Sequence, residues 1–306
     1  MKKLLYLFPL LIVFFSCTKE VKIDLPGYKD NLVIDGSIET GQPPFVLLSS
    51  TNNIYSPTNL DAYLEGFISG ATVIVSDGTI SDTLTEICTD ELPAGTEEIA
   101  AAFFGIPVEQ LIELHLCAYI STSIIGEVGK TYSLKVIYEG KTYTSTTAIY
   151  QPKALDSLYW KPQGTSTEYG FSWAKLSDAG STIDSYKWET KYISDNVFNK
   201  PFNPFFNDDF FNSLTFEFAY DNPMSYDDES FSENFRGYYR QGDTVVIKFS
   251  KIGQKEYDFF EKKYNQIYSA GNPFATPTNI PTNILGGAFG VWVGYSPSFD
   301  TLICKL

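Results

Sequence analysis

Alternating apolar and polar residues are the dominant pattern from residue 31 to residue 149. Short runs rich in β-branched and aromatic side chains recur there, separated by Gly, Pro, Asn and Ser, which is typical of β-strands joined by turns. The predicted strands are residues 32–34, 45–48, 71–75, 132–138 and 142–149. We therefore expect residues 31–150 to form an N-terminal β-sandwich of immunoglobulin-like or transthyretin-like type.

One stretch of this region has a helical pattern instead. Residues 97–104 and 107–116 carry apolar side chains at a spacing of three and four, and Pro107 suits a first helical position. This pattern predicts a short helical insertion between strands.

The C-terminal part returns to strand-like runs after a candidate linker at residues 150–153. The runs are residues 155–160, 169–173, 186–193, 245–249, 288–295 and 301–304. Between them a stripe that includes Tyr257, Phe260 and Tyr264 predicts one longer helix at about residues 251–269, with Ser250 as its cap. The predicted fold class is mainly β: two β-sandwich-like domains, 31–150 and 151–306, with a short helical insertion in the first and the longer helix in the second.

The N-terminus has the pattern of a secretory signal peptide over residues 1–16. Two lysines precede a twelve-residue apolar run, which is too short to cross about 30 Å of hydrocarbon as a helix. Ser16 and Cys17 follow directly and resemble the lipobox of a bacterial lipoprotein. We therefore expect Cys17 to be acylated and to hold the protein on a lipid membrane, with residues 17–30 as a tether.

Export also changes the interpretation of the other cysteines. An exported protein is in a compartment that permits disulfides, and Cys88 and Cys117 bracket the predicted helical insertion. We expect these two to pair and Cys304 to be a buried thiol. The alternative is three reduced, packed cysteines.

Composition excludes several classes of function. There are 37 acidic and 22 basic residues, which gives a formal net charge of −15, and Arg236 and Arg240 are the only arginines. Because nucleic-acid binding requires a basic surface, we expect no nucleic-acid partner. His115 is the only histidine, so multi-histidine metal sites are excluded. The chain also lacks a phosphate-binding GxxxxGK[ST] loop, a GxSxG elbow and an HExxH helix, and we expect no enzymatic activity.

Residues 195–240 are rich in Phe, Asn and acidic side chains. Aromatic residues are enriched at interfaces, so Phe202, Phe205, Phe206 and Phe210 are candidates for partner binding. The alternative, which we favour, is that these rings pack inward as a small core, because large exposed apolar patches are rare. The acids in this segment offer many oxygens for calcium, although the order of ligands in an EF-hand is absent. The candidate ligands are Asp208, Asp209, Asp227 and Asp228.

Several motifs resemble one family of bacterial envelope proteins. They are Leu32-Val-Ile-Asp-Gly36, Phe231-Ser-Glu-Asn-Phe-Arg-Gly237, Gly242-Asp-Thr-Val-Val-Ile-Lys-Phe249, Gly271-Asn-Pro-Phe274 and Asn283-Ile-Leu-Gly-Gly-Ala-Phe-Gly290. Together with the lipidated cysteine, they are similar to the Bacteroidetes lipoprotein family called domain of unknown function 4249. The resemblance covers almost the whole mature chain.

This resemblance implies an outer-membrane lipoprotein with no established catalytic activity, often encoded beside a TonB-dependent transporter. We therefore expect a binding or accessory subunit of a TonB-dependent nutrient uptake system, with that transporter as its partner. A surface adhesin or structural envelope module is the alternative, and a carbohydrate-active enzyme is third, since paired carboxylates occur in the acidic segment.

Overall fold

The computed structural model describes residues 30–51, 66–104, 108–111, 116–178, 180, 182–226, 228–269 and 279–305. Within these ranges the strands are β1 Leu32–Glu39, β2 Phe45–Ser50, β3 Thr72–Ser76, β4 Ser81–Thr83, β5 Thr85–Cys88, β6 Cys117–Ile120, β7 Thr131–Tyr138, β8 Lys141–Ala148, β9 Ser157–Pro162, β10 Tyr169–Ser177, β11 Ser185–Tyr192, β12 Phe205–Asn207, β13 Thr215–Tyr220, β14 Tyr239–Arg240, β15 Thr244–Ile252 and β16 Phe289–Ile303. The α-helices are α1 Glu97–Phe104, α2 Val108–Leu111 and α3 Gln254–Ser269, and three single 3-10 turns cover Thr89–Glu91, Pro223–Ser225 and Glu233–Phe235. The described fold is mainly β, as predicted.

The strands form three sheets. The largest has eight strands in the order β12-β11-β15-β16-β1-β2-β6-β5. Strands β4-β3-β7-β8 form the second sheet, and β13-β10-β14 with β9 form the third. The eight-stranded sheet takes strands from both sides of Tyr150, so the two predicted domains share one sheet.

Each smaller sheet packs on one half of the large sheet through its own apolar core. In the N-terminal half, Ile34 and Leu48 of the large sheet pack with Val73 and Leu134 of the second sheet. In the C-terminal half, the core combines large-sheet residues such as Trp188 with Leu176 and other residues of the third sheet. Alternate side chains of each strand face these cores, as the sequence pattern requires.

Strand β16 connects the two halves. Its first part runs parallel to β1, with Val33 opposite Phe289, and its second part runs antiparallel to β15, with Thr244 opposite Ile303. Trp292 in the first part lies in the N-terminal core, and Leu302 in the second part lies in the C-terminal core. One fifteen-residue strand therefore contributes to both cores.

Asn283, from the family-like C-terminal motif, fixes the start of β16. Its side chain donates a hydrogen bond to the Trp292 carbonyl at 2.8 Å and accepts one from the Trp292 amide at 2.9 Å. Gly290, in the same motif, lies where the backbones of β16 and β1 approach closely. It has a φ of 110°, and a Cβ there would lie 1.9 Å from the Ile34 carbonyl oxygen. Only glycine fits this position, where β16 passes against β1.

Helix α3 covers the face of the large sheet that lies opposite the two cores. Its Tyr257 and Phe260 are buried against Val291 and Val293 of β16. The aromatic stripe therefore packs on a sheet as predicted, but the predicted cap is wrong. Ser250 is a buried residue of β15, and the strand continues to Ile252 before the helix begins at Gln254.

The helical insertion is present as α1 and α2. Cys88 and Cys117 stand opposite each other on β5 and β6 and are joined by a disulfide, with a Cα–Cα distance of 4.0 Å. The bond closes the segment that contains both helices. Among the described residues, none of the helices has the length and apolar character needed to cross a membrane.

Candidate functional site

A cavity of about 550 Å³ lies on the face of the large sheet that points away from the cores. We call it the sheet cavity. Its lining comes from strands β1, β2, β6, β11, β12, β15 and β16, from helix α3 and from the segment between β11 and β12. Its volume is within the range of about 300 to 1,000 Å³ that is usual for sites of small ligands.

Strand alternation places charged side chains on the floor of the sheet cavity. On β11, Tyr186 and Trp188 face the C-terminal core, while Lys187 and Glu189 face the sheet cavity. Both charged residues are nevertheless buried. They are covered because α3 and the segment before β12 lie over this part of the sheet.

The floor charges form a chain of ion pairs. Lys187 Nζ lies 2.8 Å from Glu189 Oε1, and Lys248 Nζ lies 3.7 Å from Glu189 Oε2. Lys248 Nζ also lies 2.6 Å from Glu39 Oε2, which connects β15 to β1. Buried charges are tolerated when they are paired in this way. These ion pairs link residues of β11, β15 and β1, with β16 between the last two, and keep four charges at the base of one cavity.

The pKa values of these groups reflect burial and mutual attraction. Burial lowers the pKa of Lys187 to about 8, an effect that Glu189 opposes and that Lys200 and Lys248 increase. Burial alone would raise the pKa of Glu189, but the attraction of Lys187 and Lys248 outweighs it, and the pKa is lowered. Glu189 is therefore a carboxylate near neutral pH, held by lysines.

Aromatic rings form much of the wall above this floor. Phe205 stacks on Phe260 of α3 with ring centroids 4.1 Å apart. Lys187 Nζ lies 4.6 Å from the ring centroid of Tyr295, and Lys248 Nζ lies 5.4 Å from that of Phe198. These contacts place cations against aromatic faces, an arrangement that stabilises a partly dehydrated lysine. The sheet cavity thus combines cationic and apolar surfaces.

The structure separates the four phenylalanines that were candidates for partner binding. Phe205 is buried in the sheet-cavity wall, and Phe206 packs between the rings of Tyr186 and Phe218. Phe202 and Phe210 are 68% and 94% exposed. The packing of Phe205 and Phe206 is what the small-core alternative expects, and Phe202 and Phe210 remain candidates for partner binding.

The four candidate calcium ligands do not come together as one described group. Asp209 is exposed and accepts a hydrogen bond from Asn207, and Asp228 accepts one from the Ser230 amide. Asp227 lies outside the described residues. Asp208 instead meets Asp178 and Asp184, with carboxylate oxygens within 4.8 Å of one another.

Asp208 has an unusual environment within this aspartate group. It is 0% exposed, and although its Oδ1 accepts a hydrogen bond from the Asp184 amide, its Oδ2 has no hydrogen-bond partner. Burial, together with the neighbouring carboxylates of Asp178 and Asp184, raises the pKa of Asp208 to about 6. Asp184 is balanced by Lys251, whose Nζ lies 2.6 Å away.

The remaining predicted residues are cysteines. Cys17 lies outside the described residues. Cys304 is a free, buried thiol, and burial raises its pKa to about 12. It is therefore protected from reaction in the native state.

The sequence comparison gives one finding on identity. The family model described as "Domain of unknown function (DUF4249)" matches residues 18–298. The chain belongs to this family. A search of curated proteins found no match. In this DUF4249 protein the family-like motif around Asn283 and Gly290 has a structural role, because both residues fix β16 beside β1.

Sequence reasoning missed the floor of the sheet cavity. Glu39, Lys187, Glu189 and Lys248 alternate with apolar residues and therefore have the pattern of an exposed strand face. One signal was available: β11 places Lys187 and Glu189 two residues apart in the middle of a strand that has aromatic neighbours on both sides.

Proposed function

We propose that this protein is an outer-membrane lipoprotein that binds rather than transforms its ligand, as an accessory subunit of a TonB-dependent nutrient uptake system. Acylated Cys17 would hold it to the membrane by the residue 17–30 tether. The sheet cavity is the observation that supports binding most strongly. It is a concave site with a charged floor and aromatic walls on a rigid sheet, which is the usual form of a small-ligand site.

The chemistry of the floor supports binding over turnover. Lys187, Glu189, Lys248 and Glu39 are engaged with each other in ion pairs. The lowered pKa of Glu189 keeps it ionised near neutral pH, where it holds both Lys187 and Lys248. This arrangement favours a fixed electrostatic surface for recognition.

We assign contact with a transporter to Phe202 and Phe210, two exposed residues of the Phe-rich segment 195–240. Phe202 stacks on Tyr268 of α3 with ring centroids 3.9 Å apart, and Phe210 projects nearby in sequence with almost its whole ring in solvent. Exposed aromatic residues of this kind are common anchors at interfaces. Phe202 precedes the sheet-cavity wall residue Phe205, and Phe210 lies in the turn after β12.

Co-purification from the native host tests this proposal. After extraction in mild detergent, we expect the wild-type chain to bring down a TonB-dependent barrel in stoichiometric amount. We expect Phe202→Ser/Phe210→Ser to lose that partner. Leu285→Ser, which changes another exposed apolar residue, should retain it. Recovery of the chain without a barrel would reject the transporter role and favour the adhesin or structural-module alternative.

The proposed binding function requires no cofactor, and calcium is a subsidiary proposal for the aspartate group. Three carboxylates and the unpartnered Asp208 Oδ2 offer the oxygen ligands that calcium prefers. Lys251 opposes a cation there because it already neutralises Asp184. We expect calcium, if it binds, to raise the Tm of wild type but not of Asp208→Asn. An unchanged Tm in wild type would remove this proposal.

A further inference from the structure

We propose that the sheet cavity takes a small organic anion, a carboxylate, phosphate or sulfonate attached to an apolar or aromatic body. This inference rests on the proposed binding function and names the class of ligand. The charge of the lining, an exposed lysine at the rim and the aromatic wall support it.

The charge of the sheet cavity is opposite to that of the whole chain. Four lysines and three carboxylates line it, a surplus of one positive charge, whereas the chain has a formal net charge of −15. The lysines are Lys187, Lys200, Lys248 and Lys263, and the carboxylates belong to Asp35, Glu39 and Glu189. A cavity that concentrates cations within an acidic protein attracts anions that the rest of the surface repels.

The rim supplies positive charge that the floor does not neutralise. Lys200 is exposed, and within the described part of the chain it forms no ion pair. Lys263 Nζ is only weakly paired, at 3.9 Å from Asp35 Oδ2. Lys200 also lowers the pKa of Lys187, so these two ammonium groups repel each other across the cavity. An anion placed between them would relieve that repulsion.

The walls define the rest of the ligand. Phe205 and Phe260 are stacked and buried, and Tyr264 and Tyr295 add further ring surface to the lining. A bare inorganic anion would leave this apolar surface without a partner. A ligand that has a ring or chain beside its anionic group would bury it, which contributes about 25 cal/mol for each Å².

Calorimetric titration with three probes tests the inference on the full chain in mild nonionic detergent. The probes are naphthalene-1-sulfonate, the neutral 1-naphthalenemethanol and inorganic sulfate. We expect naphthalene-1-sulfonate to bind at least about tenfold more tightly than either of the other two, a difference of about 1.4 kcal/mol.

Lysine variants locate the binding. We expect Lys200→Met and Lys263→Met each to weaken naphthalene-1-sulfonate binding by about three- to tenfold, with little change for 1-naphthalenemethanol. Lys262→Met is the matched control, because Lys262 precedes Lys263 on α3 and does not line the sheet cavity. Both lysines have similar exposure and each has an acidic neighbour.

Four results would overturn the inference. They are equal affinity for the sulfonate and the neutral alcohol, no binding of the sulfonate, an equal effect of Lys262→Met and Lys200→Met, and sulfate binding as tight as that of naphthalene-1-sulfonate. None of these results changes whether a barrel co-purifies, so failure of this inference is distinct from failure of the transporter proposal.

Discussion

The two faces of strand β11 are both buried, but by different chemistry. Tyr186 and Trp188 contact the aromatic core of the C-terminal sandwich, where Trp188 stacks on Tyr220 with ring centroids 4.9 Å apart. Lys187 and Glu189 lie on the opposite face beneath the sheet cavity. One strand thus separates an apolar core from an ion-pair chain by a single residue step.

This difference indicates a division of roles. Apolar burial contributes directly to the stability of the fold. Buried ion pairs contribute little on balance, because the cost of removing two charges from water offsets their attraction. A sheet that keeps charges beneath a cavity is therefore better explained by recognition than by stability.

The largest loss of stability is expected from a substitution on the face of β11 that packs in the C-terminal core. Trp188→Ala removes a fully buried indole and should lower the free energy of unfolding by about 3 to 5 kcal/mol. Chemical denaturation measures it. A loss below about 1 kcal/mol would show that this face is not the main source of stability.

Removal of one carboxylate from the ion pairs should cause the next largest loss of stability. Glu189→Gln leaves buried Lys187 without its carboxylate and should cost about 3 kcal/mol at pH 7. The pKa of Lys187 is already lowered to about 8 in the wild-type fold, and loss of Glu189 removes an attraction that opposes this lowering, so the pKa falls further in the variant. The deficit should therefore shrink as the pH rises from about 6 to about 8, and it should stay constant above that, where Lys187 is neutral in both folded proteins. A deficit that does not change between about pH 6 and about pH 8 would contradict the assignment.

Asp208 differs from Glu189 because it is a buried acid with one carboxylate oxygen, Oδ2, that has no hydrogen-bond partner. Its pKa is raised from 3.8 to about 6, so the folded state binds the proton more tightly than the unfolded state does. Wild type should lose stability as the pH rises from about 4 to about 6. Asp208→Asn should therefore be more stable than wild type at pH 7, by about 1 to 3 kcal/mol. The two proteins should converge near pH 4, as thermal unfolding over this pH range will show.

The smallest effect is expected at Phe210, in the turn that follows β12. Phe210→Ala should change the free energy of unfolding by less than about 0.5 kcal/mol, because the ring is 94% exposed. Phe205→Ala is the matched control and should cost about 3 kcal/mol, because that ring is buried against Phe260. Equal costs would show that Phe210 packs as part of the core and would remove it as a contact residue.

Local pattern predicted much of this fold and little of its site. The alternation in β7 and β8 and the aromatic stripe of α3 are local signals, and the structure has these elements within a few residues of the predicted bounds. The parallel pairing of β1 with β16 joins distant parts of the chain, which alternation does not encode. The sheet cavity was missed for the same reason. The sequence around Lys187 has the alternation of a strand with an exposed lysine. The side chains that cover Lys187 come from α3 and from residues before β12, all of which lie outside strand β11.

The most direct test of the two-face account is the free energy of unfolding of Lys187→Met/Glu189→Leu, measured in denaturant at pH 7. Replacing the pair by apolar side chains of similar volume should leave stability unchanged or raise it by about 1 to 4 kcal/mol, because the charges are not there to stabilise the fold. A loss of about 3 kcal/mol or more, similar to that of Trp188→Ala, would contradict the account and make the ion pairs part of the structural core.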